Sequence, residues 1–117
     1  MAKADIMFDK TEIVLRMADK KPVSYNIRAE QITAVTFRPT TVKKFFKTEA
    51  SEVMLINFRG GPEGGAPVTK AALETMKKGS WDFAKKQMEE FCKYNKLTLR
   101  YEETEWKPVS FAKSKAG

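Results

Sequence analysis

With 117 residues, 42% of them apolar and 32% charged, the chain has the composition of one globular domain, long enough to close a core without a disulfide or a metal. It holds no histidine and a single cysteine, which excludes the usual zinc constellations and removes the commonest general base. The 22 lysines and arginines against 15 acids give a net charge of +7, a balance that favours anionic partners and also serves solubility.

The opening MAKADIMFDK has no apolar signal region, and no later run approaches the roughly 18 apolar residues of a spanning helix, so the expected compartment is the cytoplasm. Residues 5–9 read either as a separate strand or as the start of the first one. Ile13, Leu15 and Met17 then alternate on one strand face and Val23, Tyr25 and Ile27 on the next, with Asp19, Lys20, Lys21 and Pro22 as the turn of a hairpin. Residues 31–38 predict a third strand that ends at Pro39, which has no N–H to give a ladder. Residues 41–47 predict a fourth and 53–58 a fifth, joined by a short polar turn over 48–51.

The composition changes at Arg59. The stretch RGGPEGGAP holds four glycines and two prolines in nine residues, which predicts a flexible Gly/Pro loop over 59–67. Residues 68–79 look helical, with Thr69 as N-cap and Gly79 as stop. Ser80 caps a stronger helix over 80–95, in which Trp81, Ala84, Met88, Phe91 and Cys92 form one apolar stripe and Lys85, Lys86, Glu89, Glu90 and Lys93 the opposite, solvated face. Residues 97–101 alternate again as a final strand. The domain is expected to span 1–105, with 106–117 as a polar tail.

Few residues offer chemistry. The glycine-rich loop lacks the lysine and Ser/Thr that a P-loop places after its last glycine, since Gly65 is followed by Ala66 and Pro67. Glu102, Glu103 and Glu105 form the densest acidic group, in a polar stretch with no apolar pocket to shift them. Cys92 lies on the apolar stripe with no histidine to activate it and reads as a buried structural thiol. No catalytic residue, cofactor or metal is expected.

The longest acid-free stretch, residues 31–48, carries Arg38, Lys43, Lys44 and Lys47 interleaved with Phe37, Phe45 and Phe46. As a strand it puts lysines on both faces. One reading is an edge strand protected by lysine against aggregation; the other is an anion-binding patch for lipid headgroups or nucleic acid, in which ammonium groups meet phosphates and a phenylalanine inserts or stacks. Lysines on both faces favour the guarded edge.

The order of these elements resembles the pleckstrin-homology-like superfold, through NIRAEQITAVTF, SEVMLINF and WDFAKKQMEEFCKYNKL. The resemblance implies an α+β fold, an antiparallel sheet or partly open barrel closed by the C-terminal amphipathic helix, and a binding or scaffolding role. The phosphoinositide pattern of that superfold is missing, because Lys20 and Lys21 lead to Arg28, Ala29 and Glu30 rather than to an Arg-x-Arg/Lys triplet. The expected function is a non-enzymatic interaction module for a protein or peptide partner, including self-association as a homo-oligomer. Binding of an anionic surface, membrane lipid or nucleic acid, is the alternative.

Overall fold

Alternating apolar residues set the first three strands, and their pairing follows the expected faces. The computed structural model describes residues 3–18, 21–76 and 80–107, with the backbone alone at 44, 74–76 and 80. Strands β1 (Lys3–Phe8), β2 (Glu12–Ala18) and β3 (Pro22–Arg28) form an antiparallel sheet in that order. Ile13 pairs with Ile27, Leu15 with Tyr25 and Met17 with Val23, so the alternating residues of neighbouring strands share one face, buried at Ile13, Leu15 and Ile27 and exposed at Val23. Residues 5–8 thus belong to a separate strand, β1, and Asp9 lies just past its end. Asp19 and Lys20, half of the expected turn, lie outside the described residues.

The second sheet departs further from expectation. Strand β4 (Ile32–Lys44) runs straight through Pro39 and turns only at Phe45 and Phe46, and β5 (Lys47–Phe58) returns along its whole length, from Lys44 opposite Lys47 to Ile32 opposite Phe58. The expected strand break at Pro39 fails because the missing N–H is on the side away from β5. The Pro39 carbonyl, which points the same way, accepts the Trp106 N–H at 2.8 Å, so the β4–β5 ladder loses no donor there. The expected turn over 48–51 is strand, with Thr48 to Ser51 pairing against Lys43 to Thr40.

Beyond β5 the irregular stretch is shorter than expected. Ala66 and Pro67 pair with Ile56 and Leu55 as part of β6 (Ala66–Thr69), so the loop closes at Gly65 and the helix α1 (Lys70–Met76) starts two residues later than expected. Thr69 does cap it, its Oγ1 accepting the Ala72 N–H at 3.1 Å. The expected stop, Gly79, lies outside the described residues.

Helix α2 (Ser80–Tyr94) buries the expected stripe, with Trp81, Ala84, Met88, Phe91 and Cys92 all in the core. It ends in a Schellman motif: Lys96 takes a left-handed φ of +57°, and the Leu97 N–H reaches back to the Cys92 carbonyl at 2.8 Å. The last strand, β7 (Leu99–Tyr101), pairs parallel to β4, so the second sheet is mixed, in the order β6-β5-β4-β7. The architecture is α+β. Among the described residues it consists of two sheets, one antiparallel and one mixed, with no closed barrel, where the sequence predicts an antiparallel sheet or partly open barrel, and α2 lies against one face of the second sheet through Trp81 and Phe37, whose ring centroids are 6.2 Å apart. The chain stays bound past 105, as Thr40 Oγ1 donates to the Trp106 carbonyl at 2.8 Å.

Candidate functional site

The long β4–β5 hairpin carries the most unusual surface of the molecule. Pairing of β4 with β7 ends at Phe37, and pairing of β5 with β6 ends at Val53. Past those points β4 pairs with β5 alone; the segment ending at Trp106 still lies along β4 as far as Thr41, and beyond it the hairpin is a two-stranded ribbon among the described residues. At its end Phe45 and Phe46 are fully exposed, whereas the next most exposed large apolar side chain among the described residues, Phe83, is 66% exposed. Lys43 and Lys47 are exposed beside them, and Lys44 holds the last paired position of β4.

Three choices at this tip oppose local stability. A two-residue hairpin turn favours Asn-Gly or a glycine, yet Phe45 adopts φ +54°, a region that costs a bulky residue about 1–2 kcal/mol. Lys44 and Lys47 are direct cross-strand partners, and like charges placed opposite one another are destabilising. The two phenylalanines leave their apolar surface in water. Such local violations are expected where a segment serves contact with something else rather than the fold.

Arg38 does not join this group. Its Nε donates to the Thr104 carbonyl at 3.0 Å and its Nη2 to the Glu105 carbonyl at 2.9 Å, holding the segment after β7 against the second sheet. At about 3.3 Å per strand residue, it lies about 16 Å along β4 from Lys43. The structure therefore brings Lys43, Lys44 and Lys47 together around one turn and leaves Arg38 in a separate role.

The other groups considered from sequence fall into plain settings. Cys92 is buried, and that burial pushes its thiol up to about 11, away from the thiolate a nucleophile needs. Glu102, Glu103 and Glu105 are exposed, Glu105 accepting from Thr41 Oγ1 at 3.3 Å. Strand β6 separates the glycines of 60–65 from α1, so no helix N-terminus follows them. Among the described residues no three His, Cys, Asp or Glu side chains approach closely enough to hold a metal ion, and no helix is long and apolar enough to cross a membrane.

A polar cluster on the α2 side was not legible in the sequence. Glu52 accepts from Trp81 Nε1 at 2.9 Å and pairs with Lys85 Nζ at 3.2 Å. Lys85 also lies over the rings of Phe37 and Tyr101, 5.5 and 5.6 Å from their centroids, and Tyr101 donates to Glu89. Each partner comes from a distant segment, and only the fold joins them.

The sequence marked the phenylalanines and lysines but not their position at a turn, because KKFFK contains none of the residues that signal one. Comparison with known proteins finds no matching family model, no matching curated protein and no matching solved structure.

Proposed function

We propose that this chain is a non-enzymatic module that docks on anionic membrane surfaces through the tip of the β4–β5 hairpin. The observation that carries this reading is the pair of adjacent, fully exposed phenylalanines at a strained turn, bracketed by Lys43, Lys44 and Lys47. Phenylalanine inserts into the interfacial region while lysine meets the phosphates, and the two act along the same axis at the end of a ribbon.

The magnitudes favour a bilayer. Burying a phenylalanine side chain is worth about 1.5–3 kcal/mol, and each lysine near an anionic leaflet about 1 kcal/mol. Two of the first and three of the second sum to about 6–9 kcal/mol before the cost of orientation, which gives reversible binding, micromolar at the tightest, that needs both contributions. A projecting tip offers no groove to track a nucleic-acid backbone, as single-strand binding requires. The reading of the chain as a variant of the pleckstrin-homology-like superfold is supported by the order of its strands and its C-terminal helix, and such a module suits a surface-docking role.

A second reading, a protein partner, is favoured by β3. Among the described residues this strand pairs with β2 on one side only, and Val23 on it is 42% exposed, so an extended segment of another protein has an edge to extend.

The deciding experiment is sedimentation with phosphatidylcholine vesicles with and without phosphatidylserine. The protein should bind the anionic vesicles, and Phe45→Ser/Phe46→Ser should abolish that binding while keeping the thermal melt of the parent. Equal binding by the parent and this variant would overturn the reading.

A further inference from the structure

A cavity of about 340 Å³ opens beside the outer half of the same hairpin, at Thr40, Thr41, Val42 and Ser51. Its described walls are Ala4 and Met17 from the first sheet, Val42 and Pro67 from the second, Ala72 from α1, and the half-buried Trp106. The threonine hydroxyls in its lining are already engaged: Thr40 donates to the Trp106 carbonyl at 2.8 Å, Thr41 to Glu105 at 3.3 Å, and Thr69 accepts from the Ala72 N–H at 3.1 Å. No buried side-chain nitrogen or oxygen lacks a partner among the described residues, so the interior holds no polar group waiting for a ligand. Exposed Lys3 stands on its lining and supplies a cation at the mouth.

We infer that this cavity binds a single fatty acyl chain, with the anionic end of the lipid beside Lys3. Largely hydrocarbon walls, whose threonine hydroxyls are engaged, select hydrocarbon, and one lysine at the entrance selects a chain that ends in negative charge. The volume lies at the small end of ligand cavities, which fits one chain and not two. The inference rests on membrane docking for its source of ligand. Val42, in the cavity wall, is three residues from Phe45, about 10 Å along the strand, and a tip seated in the headgroup layer brings the entrance to the lipid surface. A free fatty acid and one chain of a phospholipid present the same chemistry.

The test uses 9,10-dibromostearate as free monomer, whose bromines quench tryptophan fluorescence on contact. The chain has two tryptophans, and Trp81 is buried elsewhere, against Phe37. Quenching should be saturable in the parent protein and lost in Trp106→Phe, whose remaining Trp81 emission should not respond. Ser51→Phe, which places a ring in the cavity lining, should also lose it, with its melt measured alongside. Phe45→Ser/Phe46→Ser should keep it, so failure of vesicle docking and failure of this site are separable. Vesicles of dibromo-phosphatidylserine distinguish the sources: quenching by the free acid together with vesicle quenching that Ser51→Phe abolishes assigns either chain, and quenching by free acid alone, or with vesicle quenching that Ser51→Phe leaves intact, assigns fatty acid. No saturable quenching by the free acid, or quenching that persists in Trp106→Phe, would overturn the inference. Quenching from vesicles only would overturn it too, by assigning the contact to the bilayer itself.

Discussion

Trp81 Nε1 donates to Glu52 Oε1 at 2.9 Å, and this bond joins the first turn of α2 to the middle of β5. Burial works to raise the Glu52 carboxyl, but the Trp81 bond, the bond and charge of Lys85 and the charge of Lys70 together hold it below its ordinary 4.5. A carboxylate whose value is depressed in the fold contributes stability above the unfolded value and loses it as pH falls through the folded one. The melting temperature should therefore begin to drop below about pH 4.5. In Glu52→Gln it should be lower at pH 7 and should fall less steeply across that acid range. Parallel pH profiles for the two proteins would show that the cluster contributes nothing.

Phe91 tests whether α2 is part of the core. It is 4% exposed and its ring lies 6.0 Å from that of Phe8, which links the helix to the first sheet. Phe91→Ala should cost about 3–5 kcal/mol in chemical denaturation, a large share of the usual total of about 5–15. Lys86, exposed on the opposite face, should change stability by no more than about 0.5 kcal/mol when replaced by alanine. Equal, mild effects would make the helix peripheral.

What was legible in the sequence follows from the range over which each signal acts. The β2–β3 faces and the α2 stripe come from periodicity, which a dozen residues display by themselves, and Met17 opposite Val23 or Phe91 beside Phe8 realise that pattern directly. The β4–β5 turn did not, because its position is set by the register of twelve paired residues rather than by turn residues, and Phe45 takes a positive φ against its own preference. Pro39 misled for a related reason: which edge its nitrogen faces depends on the β4–β5 register, and the partner of its carbonyl, Trp106, comes 67 residues later. The parallel alignment of β7 and the Glu52–Trp81–Lys85 cluster depend on the same long-range closure.

Arg38 and the tip lysines should separate cleanly. The guanidinium of Arg38 donates to two backbone carbonyls, of Thr104 and Glu105, and lysine has no fork with which to replace it. Arg38→Ala should lower stability by about 1–3 kcal/mol, and Arg38→Lys should restore only part of that. Binding to phosphatidylserine vesicles, measured well below the melting temperature, should stay within about twofold of the parent, since one charge far from the contact is largely screened. A loss of vesicle binding as large as that from the tip lysines would extend the docking surface down β4.

The tip itself poses the sharper question, whether Lys43, Lys44 and Lys47 guard the hairpin or bind through it. If they meet anionic headgroups at about 1 kcal/mol each, Lys43→Ser/Lys44→Ser/Lys47→Ser should weaken binding to phosphatidylserine vesicles by roughly 100-fold at low salt. The parent's affinity should fall as ionic strength rises and that of the variant should barely change, because screening acts only on the charges removed. The variant should remain as monodisperse as the parent by light scattering, since a ribbon whose tip carries two phenylalanines in a turn presents little flat edge for another strand to join. Guarding predicts the reverse: negligible vesicle binding before and after, with the variant associating as its edge loses protection. The lysines flank the turn on both strands, Lys43 opposite Thr48 and Lys44 opposite Lys47, instead of following one strand, and headgroup contact is the outcome this arrangement favours.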